Sequence, residues 1–208
     1  MIYTIKKGKF NEGGLNFPNL FSGKFKKTWR VALAPNCWYE EGLEINQISK
    51  LVGVTEFWSA NNKNSIMLGY EPCRLPEIEI LEKYPHCKNL GGTPQVPTKY
   101  FNLYHYVNDK TGGYEATFIT VVADWGINDA IYTIERKETT NNMFVSFAVE
   151  QFDPSKIQNG TKTSLYPLWN IEVEDPLKVP YLKGWLREIF LYFGGRSVAP
   201  WDMQYKIS

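Results

Sequence analysis

The segment from Arg187 to Ser208 constrains the fold more than any other part of the chain. It holds two stretches of β-forming residues, which are separated by a break that contains glycines and a proline. In the second stretch large apolar residues alternate with polar ones, and a period of two is typical of a strand with one buried and one solvated face. We therefore expect the chain to end inside a β-sheet. The apolar residues that should face the core are Trp201, Met203, Tyr205 and Ile207.

The first of these two stretches is compatible with either a helix or a strand. Apolar residues at positions 182, 186, 189 and 193 would lie on one stripe of a helix. However, residues 187–193 are rich in Ile, Phe, Leu and Tyr, and the pair Gly194-Gly195 follows them directly. These features favour a strand over residues 187–193.

Residues 98–151 carry the most regular β pattern, with a turn about every ten residues. The turns contain Asn, Asp and Gly, which accept the backbone conformations that hairpins require. The stretch from Tyr114 to Asp124 is apolar on both faces, so it should be a central strand. Such spacing is typical of a sandwich or a barrel. The four expected strands cover residues 100–107, 114–124, 130–137 and 143–151.

Further strands are expected at residues 28–34, 50–58 and 65–70, although residues 44–51 could instead form one or two helical turns. Residues 72–97 contain five prolines and a Gly-Gly pair, which predicts a long irregular connection. No repeat or linker divides the chain, so we expect residues 1–208 to form one domain. The expected fold is an all-β antiparallel β-sandwich of the jelly-roll type with little helix.

The charge distribution is uneven although the net charge is only +1. Residues 1–30 hold seven Lys or Arg against Glu12, about +6, which leaves about −5 for the remainder. This basic segment is either a solvated edge or a contact with an acidic neighbour, such as another copy of the chain. It lacks any motif of nucleic-acid recognition, so we do not expect a nucleic-acid partner.

Three cysteines, Cys37, Cys73 and Cys87, occur without CxxC spacing, and only two histidines accompany them. We therefore expect buried free thiols, or one disulfide in an oxidising compartment, with no metal site and no cofactor. The first residues lack the apolar run of a signal peptide, and no stretch approaches the ~20 apolar residues of a membrane helix. We expect synthesis in the cytoplasm and no membrane contact, and a virus particle is one destination that needs no signal peptide.

Two stretches carry a family resemblance. Residues 48–72 read I-S-K-L-V-G-V-T-E-F-W-S-A-N-N-K-N-S-I-M-L-G-Y-E-P, and residues 192–207 contain Y-F-G-G followed by A-P-W-D-M. These stretches, about 40 of 208 residues, resemble a group of small proteins encoded by phages and by Bacteroides-type bacteria. The chain departs from the group at Trp201, where the group usually has His. The resemblance implies the concanavalin A-like jelly roll of lectins, glucanases and polysaccharide lyases, and it implies no particular activity.

Catalysis on such a fold would require specific pairs of side chains. A retaining glycosidase needs two neighbouring carboxylates, and the nearest candidates are Glu172 with Glu174 and Glu77 with Glu79. A polysaccharide lyase needs a His or Tyr base near a cation. His105 should point away from Tyr104 and its neighbour Tyr106 on one strand, so a structural role is expected for this histidine. No nucleophile elbow, phosphate loop or dinucleotide fingerprint is present.

Aromatic rings are the other resource for binding, because exposed Trp and Tyr rings stack on sugar faces. Trp125 lies in the turn Asp124-Trp125-Gly126-Ile127-Asn128, at the end of an expected strand. In a lectin-like site, Asp124 and Asn128 would bind hydroxyl groups beneath the ring of Trp125. Trp58 and Tyr104 are further candidate ligand-binding residues. Packing in the core is the competing role for each of these rings.

The sequence therefore favours a non-enzymatic structural or adhesion protein, part of a bacteriophage particle, with copies of itself or other virion subunits as partners. The alternative is a carbohydrate-binding domain, or a polysaccharide-cleaving enzyme, on the same fold. An exposed groove lined by Trp and Tyr with paired carboxylates would favour the alternative. A flat apolar patch on a sheet or an edge would favour assembly.

Overall fold

The computed structural model describes residues 1–9, 20–21, 23–40, 48–56, 64–91, 97–109, 111, 113–137, 143–155, 163–173, 186–192 and 199–208. Within these ranges the chain forms twelve strands and one α-helix. The first six strands and the helix α1 are β1 (Ile2–Ile5), β2 (Leu20–Phe21), β3 (Phe25–Leu33), β4 (Ser49–Glu56), β5 (Ser65–Pro72), α1 (Glu77–Lys83) and β6 (Tyr100–Asn108). The remaining strands are β7 (Tyr114–Ala123), β8 (Asn128–Arg136), β9 (Met143–Phe152), β10 (Thr163–Val173), β11 (Leu186–Tyr192) and β12 (Met203–Ile207).

These strands form two six-stranded sheets. The order in the first sheet is β1-β12-β3-β8-β9-β10, and the order in the second is β2-β11-β4-β5-β6-β7. All paired neighbours run antiparallel. Apolar side chains from both sheets fill one continuous core between them. The predicted fold class, an all-β antiparallel β-sandwich of the jelly-roll type, is confirmed.

Alternation of side chains explains why each sheet has a dry and a wet face. In β9, Met143, Val145, Phe147 and Val149 are buried in the core, whereas the residues between them are partly exposed. The same period of two predicted this strand almost to the residue. The stretch before the C-terminal break is also a strand, β11, as predicted, and it pairs with β4.

The last strand, β12, lies inside the first sheet between β1 and β3, as the alternating pattern predicts. Met203, Tyr205 and Ile207 are buried in the core, and the hydroxyl of Tyr205 lies 2.9 Å from that of Tyr70 in the opposite sheet. The expectation for Trp201 is wrong, because this residue is 41% exposed and precedes the strand. The Asp202 carboxylate accepts hydrogen bonds from the Lys6 ammonium (2.7 Å) and the Lys7 backbone N–H, which holds the preceding segment outside the sheet.

The expectation that β7 is central is also wrong. This strand lies at the edge of the second sheet, with β6 as its neighbour, and it exposes Tyr114 and Phe118. Its apolar second half has another cause. Val121 and Ala123 face outward into a small cluster with Ile80 of α1, so a helix covers this end of the sheet. The connection 72–97 is therefore not irregular throughout, since it contains α1 and a 3-10 turn at Pro85–Cys87.

Other sequence-based expectations concern single residues. Cys37, Cys73 and Cys87 are buried free thiols, as expected, and burial raises the pKa of each. Thiols of this kind are poor nucleophiles. Within the described ranges no group of three or more His, Cys, Asp or Glu side chains could hold a metal ion. No helix in the described part of the chain is long and apolar enough to cross a membrane.

Candidate functional site

An open groove with a volume of about 730 Å³ lies at the end of the sandwich where β3 finishes. We call it the tryptophan groove, because two indole rings contribute to its wall. It is lined by Pro35, Asn36, Trp38, Tyr39, Glu40, Lys99, Pro200 and Trp201.

A short 3-10 turn, Pro35–Cys37, builds one side of the groove. The Sγ of Cys37 donates to the Gln204 carbonyl oxygen (2.8 Å), and the Asn36 side-chain oxygen accepts from the Gln204 backbone N–H (3.0 Å). Both bonds tie the turn to β12. The residues that follow this turn line the groove, with Trp38 partly buried, Tyr39 buried in the core and Glu40 exposed.

Both indole rings of the groove are held by their N–H groups. Trp201 donates its Nε1–H to the Asn36 carbonyl oxygen (2.6 Å), although the residue remains 41% exposed. Trp38 donates its Nε1–H to the Cys73 carbonyl oxygen at 3.4 Å. The Lys99 ammonium lies 4.5 Å from the centre of the Trp38 ring, a cation–π geometry. The groove therefore combines two oriented aromatic rings with one ammonium and one exposed carboxylate, Glu40.

The predicted Asp124, Trp125 and Asn128 come together where β7 connects to β8, but the side-chain polar atoms of Asp124 and Asn128 bond within the protein. Asp124 is buried, and its carboxylate accepts the Lys99 backbone N–H (2.8 Å), while its own N–H donates to the Lys99 carbonyl (2.9 Å). Burial raises the pKa of Asp124. The Asn128 amide accepts from the Ala123 N–H (2.9 Å) and donates to the His86 carbonyl (2.9 Å). The two hydrogen bonds between Asp124 and the Lys99 backbone thus fix the position of Lys99 in the groove wall.

Trp125 is partly buried and packs against the main core, and its backbone N–H donates to the Leu33 carbonyl (2.7 Å). It does not contribute to the wall of the tryptophan groove. Trp58 lies outside the described residues. A glycan contact by Asp124, Trp125, Asn128 or Trp58 stays a prediction, and the internal bonds of Asp124 and Asn128 favour a supporting role for the turn.

Tyr104 lies elsewhere, on the outer face of the second sheet. Its hydroxyl donates to the Glu71 carboxylate, which also accepts from the Asn102 side-chain amide at 3.2 Å. Burial and the hydrogen bond to Glu71 raise the pKa of Tyr104. Tyr104 therefore orients Glu71 and does not line the tryptophan groove.

The groups weighed for catalysis are not assembled into a site in the described part of the chain. His105 is buried, its Nδ1 lies 3.0 Å from the Tyr132 hydroxyl in the opposite sheet, and burial lowers its pKa to about 4. It points away from Tyr104, as expected. Glu77 and Glu79 lie on α1 and not on a strand, and Glu77 accepts a hydrogen bond from the Tyr100 hydroxyl at 2.6 Å. The Glu172 side chain and all of residue 174 lie outside the described part of the chain.

Sequence reasoning did not select Trp38, Glu40, Lys99 or Trp201 as site residues. One signal could have identified the tryptophans, since a proline stands directly before Trp201 and another opens the turn before Trp38. A proline next to a large aromatic residue marks a strand end, where rings are available to a ligand. The partners that orient these rings are far away in sequence, so no local pattern reveals them.

Comparisons with known proteins find structural likenesses, among them a lectin. No family model and no curated protein matches the sequence. Among solved structures, the chain is similar to the winged bean acidic lectin complexed with methyl-α-D-galactose. The match has 10% sequence identity and a TM-score of 0.36, and it covers 100% of this chain and 86% of the lectin. At this similarity nothing about a ligand transfers from one protein to the other, so the chemistry of the groove rests on its own geometry.

Proposed function

We propose that this protein is a non-enzymatic carbohydrate-binding β-sandwich, with an adhesive role, and that the tryptophan groove is its glycan site. The observation that carries the proposal is the pair of indole rings, Trp38 and Trp201, each held by its own N–H in one open groove. Trp201 is 41% exposed and so presents ring surface to a ligand, whereas Trp38 is partly buried against the core and has the Lys99 ammonium 4.5 Å from its ring centre. A fixed ring also loses little conformational entropy when a sugar ring stacks on it.

The polar groups of the groove suit hydroxyl-rich ligands. The Glu40 carboxylate accepts hydrogen bonds and the Lys99 ammonium donates them, so the two together can bind vicinal hydroxyl groups beside a stacked ring. Binding is favoured over cleavage by the number of acids. Glycoside hydrolysis needs two carboxylates, roughly 5–5.5 or 6.5–9.5 Å apart, on either side of the scissile bond. Among the described residues of the groove wall, Glu40 is the single carboxylate.

A glycan array tests the proposal. The wild type should bind at least one class of glycan saturably, and Trp201→Ala should weaken that binding about 30-fold or more, because aromatic anchors at interfaces often contribute over ~2 kcal/mol. The melting temperature should change little, because Trp201 is 41% exposed. Trp201→Phe should retain part of the affinity, since it keeps a ring.

The matched control is Tyr114→Ala, which removes an exposed aromatic residue (57%) that lies outside the groove. This variant should bind as the wild type does. An array without saturable binding to any glycan would refute the proposed function. Full binding by both Trp201→Ala and Trp38→Ala would refute the assignment of the site.

A structural subunit, such as a component of a bacteriophage particle, is a second candidate function. Three strands at sheet edges expose large apolar side chains, namely Ile2 on β1, Leu20 on β2, and Phe118 on β7. Exposed apolar residues on unpaired edges favour association between chains. Size-exclusion chromatography with light scattering, at 0.1 M and 1 M salt, measures the mass of the protein in solution and therefore its oligomeric state. A monomer under both conditions would count against this candidate and would leave glycan binding untouched.

A further inference from the structure

A second depression, of about 440 Å³, lies on the outer face of the second sheet beside α1. We call it the outer-face pocket. Its aromatic side consists of Phe118, which is 43% exposed, and Tyr84, with ring centres 6.4 Å apart in an edge-to-face arrangement. Its polar side includes Glu71 and Asn102. Like the tryptophan groove, the pocket therefore places aromatic rings next to hydrogen-bonding groups.

The polar side of this pocket is held in place from within the sheet. The Tyr104 hydroxyl and the Asn102 amide both donate to Oε1 of Glu71, so the orientation of the carboxylate is fixed before any ligand arrives. The cationic side chains of Arg74 and Lys83 also line the pocket and can donate to hydroxyl oxygens. Fixed polar groups beside an aromatic surface are typical of small-ligand sites.

The chain segment 71–74, at and just after the end of β5, lines the outer-face pocket and contacts the tryptophan groove. Trp38 of the groove donates its Nε1–H to the carbonyl of Cys73, which lines the pocket. Burial raises the pKa of Tyr39 in the groove to about 12, and the negative charge of Glu71, which lines the pocket, also raises it. The two depressions are thus connected through Cys73 and its neighbours.

We infer that one extended oligosaccharide occupies the tryptophan groove and the outer-face pocket together, so that the preferred ligand is an internal stretch of a polysaccharide rather than a terminal monosaccharide. This inference rests on the proposed function. Each depression offers an aromatic surface for a sugar ring, and the exposed Arg74, next to Cys73, can donate to the hydroxyls of the connecting units. Two covalently joined units bind with an affinity gain of up to about 10²–10⁴ when both sites can be reached at once.

The test is isothermal titration against oligosaccharides of increasing length. The probes are β-1,4-linked oligosaccharides of glucose, xylose and mannose from one to six units, together with the length series of any other glycan that the wild type retains on the array. For the bound series, affinity should rise by about 10²-fold between the shortest and the longest probe and should then reach a plateau. Phe118→Ala should remove most of this gain and leave the affinity for the shortest bound probe unchanged.

Two variants serve as controls for Phe118→Ala. Trp201→Ala should weaken binding of every length, because it alters the groove. Tyr114→Ala removes an exposed ring from the same strand as Phe118 but outside the pocket, and it should leave the whole series unchanged. Equal affinity for short and long probes, or no effect of Phe118→Ala on long probes, overturns the inference and leaves glycan binding by the groove intact. Absence of binding to all probes and to the array overturns the proposed function itself.

Discussion

Removal of one partner from the buried ion pair of Glu188 and Lys27 should destabilise the protein far more than the loss of an ion pair on the surface. Glu188 belongs to β11 in the second sheet, and its side chain is completely buried. It accepts a hydrogen bond from the Trp29 indole (2.5 Å) and lies 3.3 Å from the Lys27 ammonium, both of which belong to β3 in the first sheet. This group of three residues therefore links the two sheets inside the sandwich.

The size of the effect follows from the distances. Two unit charges 3.3 Å apart attract by about 5 kcal/mol at an effective dielectric constant of ~20. Desolvation of the carboxylate offsets much of this, so the net value of the pair is small, but removal of Lys27 takes a cation away from a fully buried carboxylate. We expect Lys27→Met to lower the free energy of unfolding by about 3 kcal/mol. Glu188→Gln keeps a hydrogen-bond acceptor for Trp29 and removes only the negative charge beside Lys27. Because the Lys27 side chain is 30% exposed to solvent, we expect this variant to lower the free energy of unfolding by about 1–2 kcal/mol.

A double-mutant cycle measures the interaction directly. Urea unfolding of the wild type, both single variants and the double variant gives the coupling energy, for which we expect about 2 kcal/mol. The matched control is the exposed pair Lys26 and Glu135, which are 3.6 Å apart with side chains 65% and 28% exposed. Its cycle should give about 0.2–1 kcal/mol. If the effects of Lys27→Met and Glu188→Gln add within about 0.5 kcal/mol, the two charges do not interact and the reasoning fails.

Three changes in the core should also have measurable effects. A chain that stops after Pro200 should be insoluble or unfolded, because it lacks β12, and loss of one large buried side chain such as Tyr205 alone costs roughly 2–5 kcal/mol; cooperative melting at the wild-type temperature would contradict this. His105→Asn should reduce the loss of stability between about pH 6.5 and pH 4. Burial holds the folded-state pKa of His105 near 4, below its unfolded value, so the unfolded state binds more protons in this window and wild-type stability falls as the pH falls. Urea unfolding at pH 7 and pH 4.5 should show a smaller loss of stability in His105→Asn than in the wild type. An equal loss in both proteins would refute this role of His105. Gly53→Ala should destabilise the fold by roughly 1–3 kcal/mol, because its Cβ would lie 2.1 Å from the Ile66 carbonyl oxygen; an unchanged denaturation midpoint would show that β4 and β5 separate locally at no cost.

Strand positions could be predicted from the sequence wherever one face is dry and the other is wet. Met143 to Phe152 is such a case, because every second residue packs in the core and the pattern contains no exception. The position of β7 could not be predicted in this way. Val121 and Ala123 are apolar on the outer face because a helix distant from them in sequence covers that face, and a local pattern cannot distinguish a helical cover from a central position in the sheet.

The candidate site was less accessible to sequence reasoning than the fold. Asp124 and Asn128 are residue types that can bind sugar hydroxyls or close a turn, and only their hydrogen bonds to Lys99, Ala123 and His86 distinguish the two roles. Trp201 lies two residues before β12 begins and continues the alternation of that strand by one step. Its hydrogen bond to Asn36, which is 165 positions away in the chain, determines that the ring belongs to the groove and not to the core.

The insertion of β12 between β1 and β3 sets a limit on how the protein can fold during synthesis. The Met1 ammonium and the Ile207 carbonyl oxygen are 206 positions apart in the chain and 2.9 Å apart in space. Nearly all of the residues between these two positions must therefore emerge from the ribosome before β1 can pair with β12. Until then, the edge of β3 that pairs with β12 has unsatisfied hydrogen-bonding groups. Contacts of such separation close slowly. The nascent chain consequently passes through a stage with unpaired strand edges. At this stage a high concentration of nascent chains favours aggregation, and chaperone binding would raise the yield of folded protein.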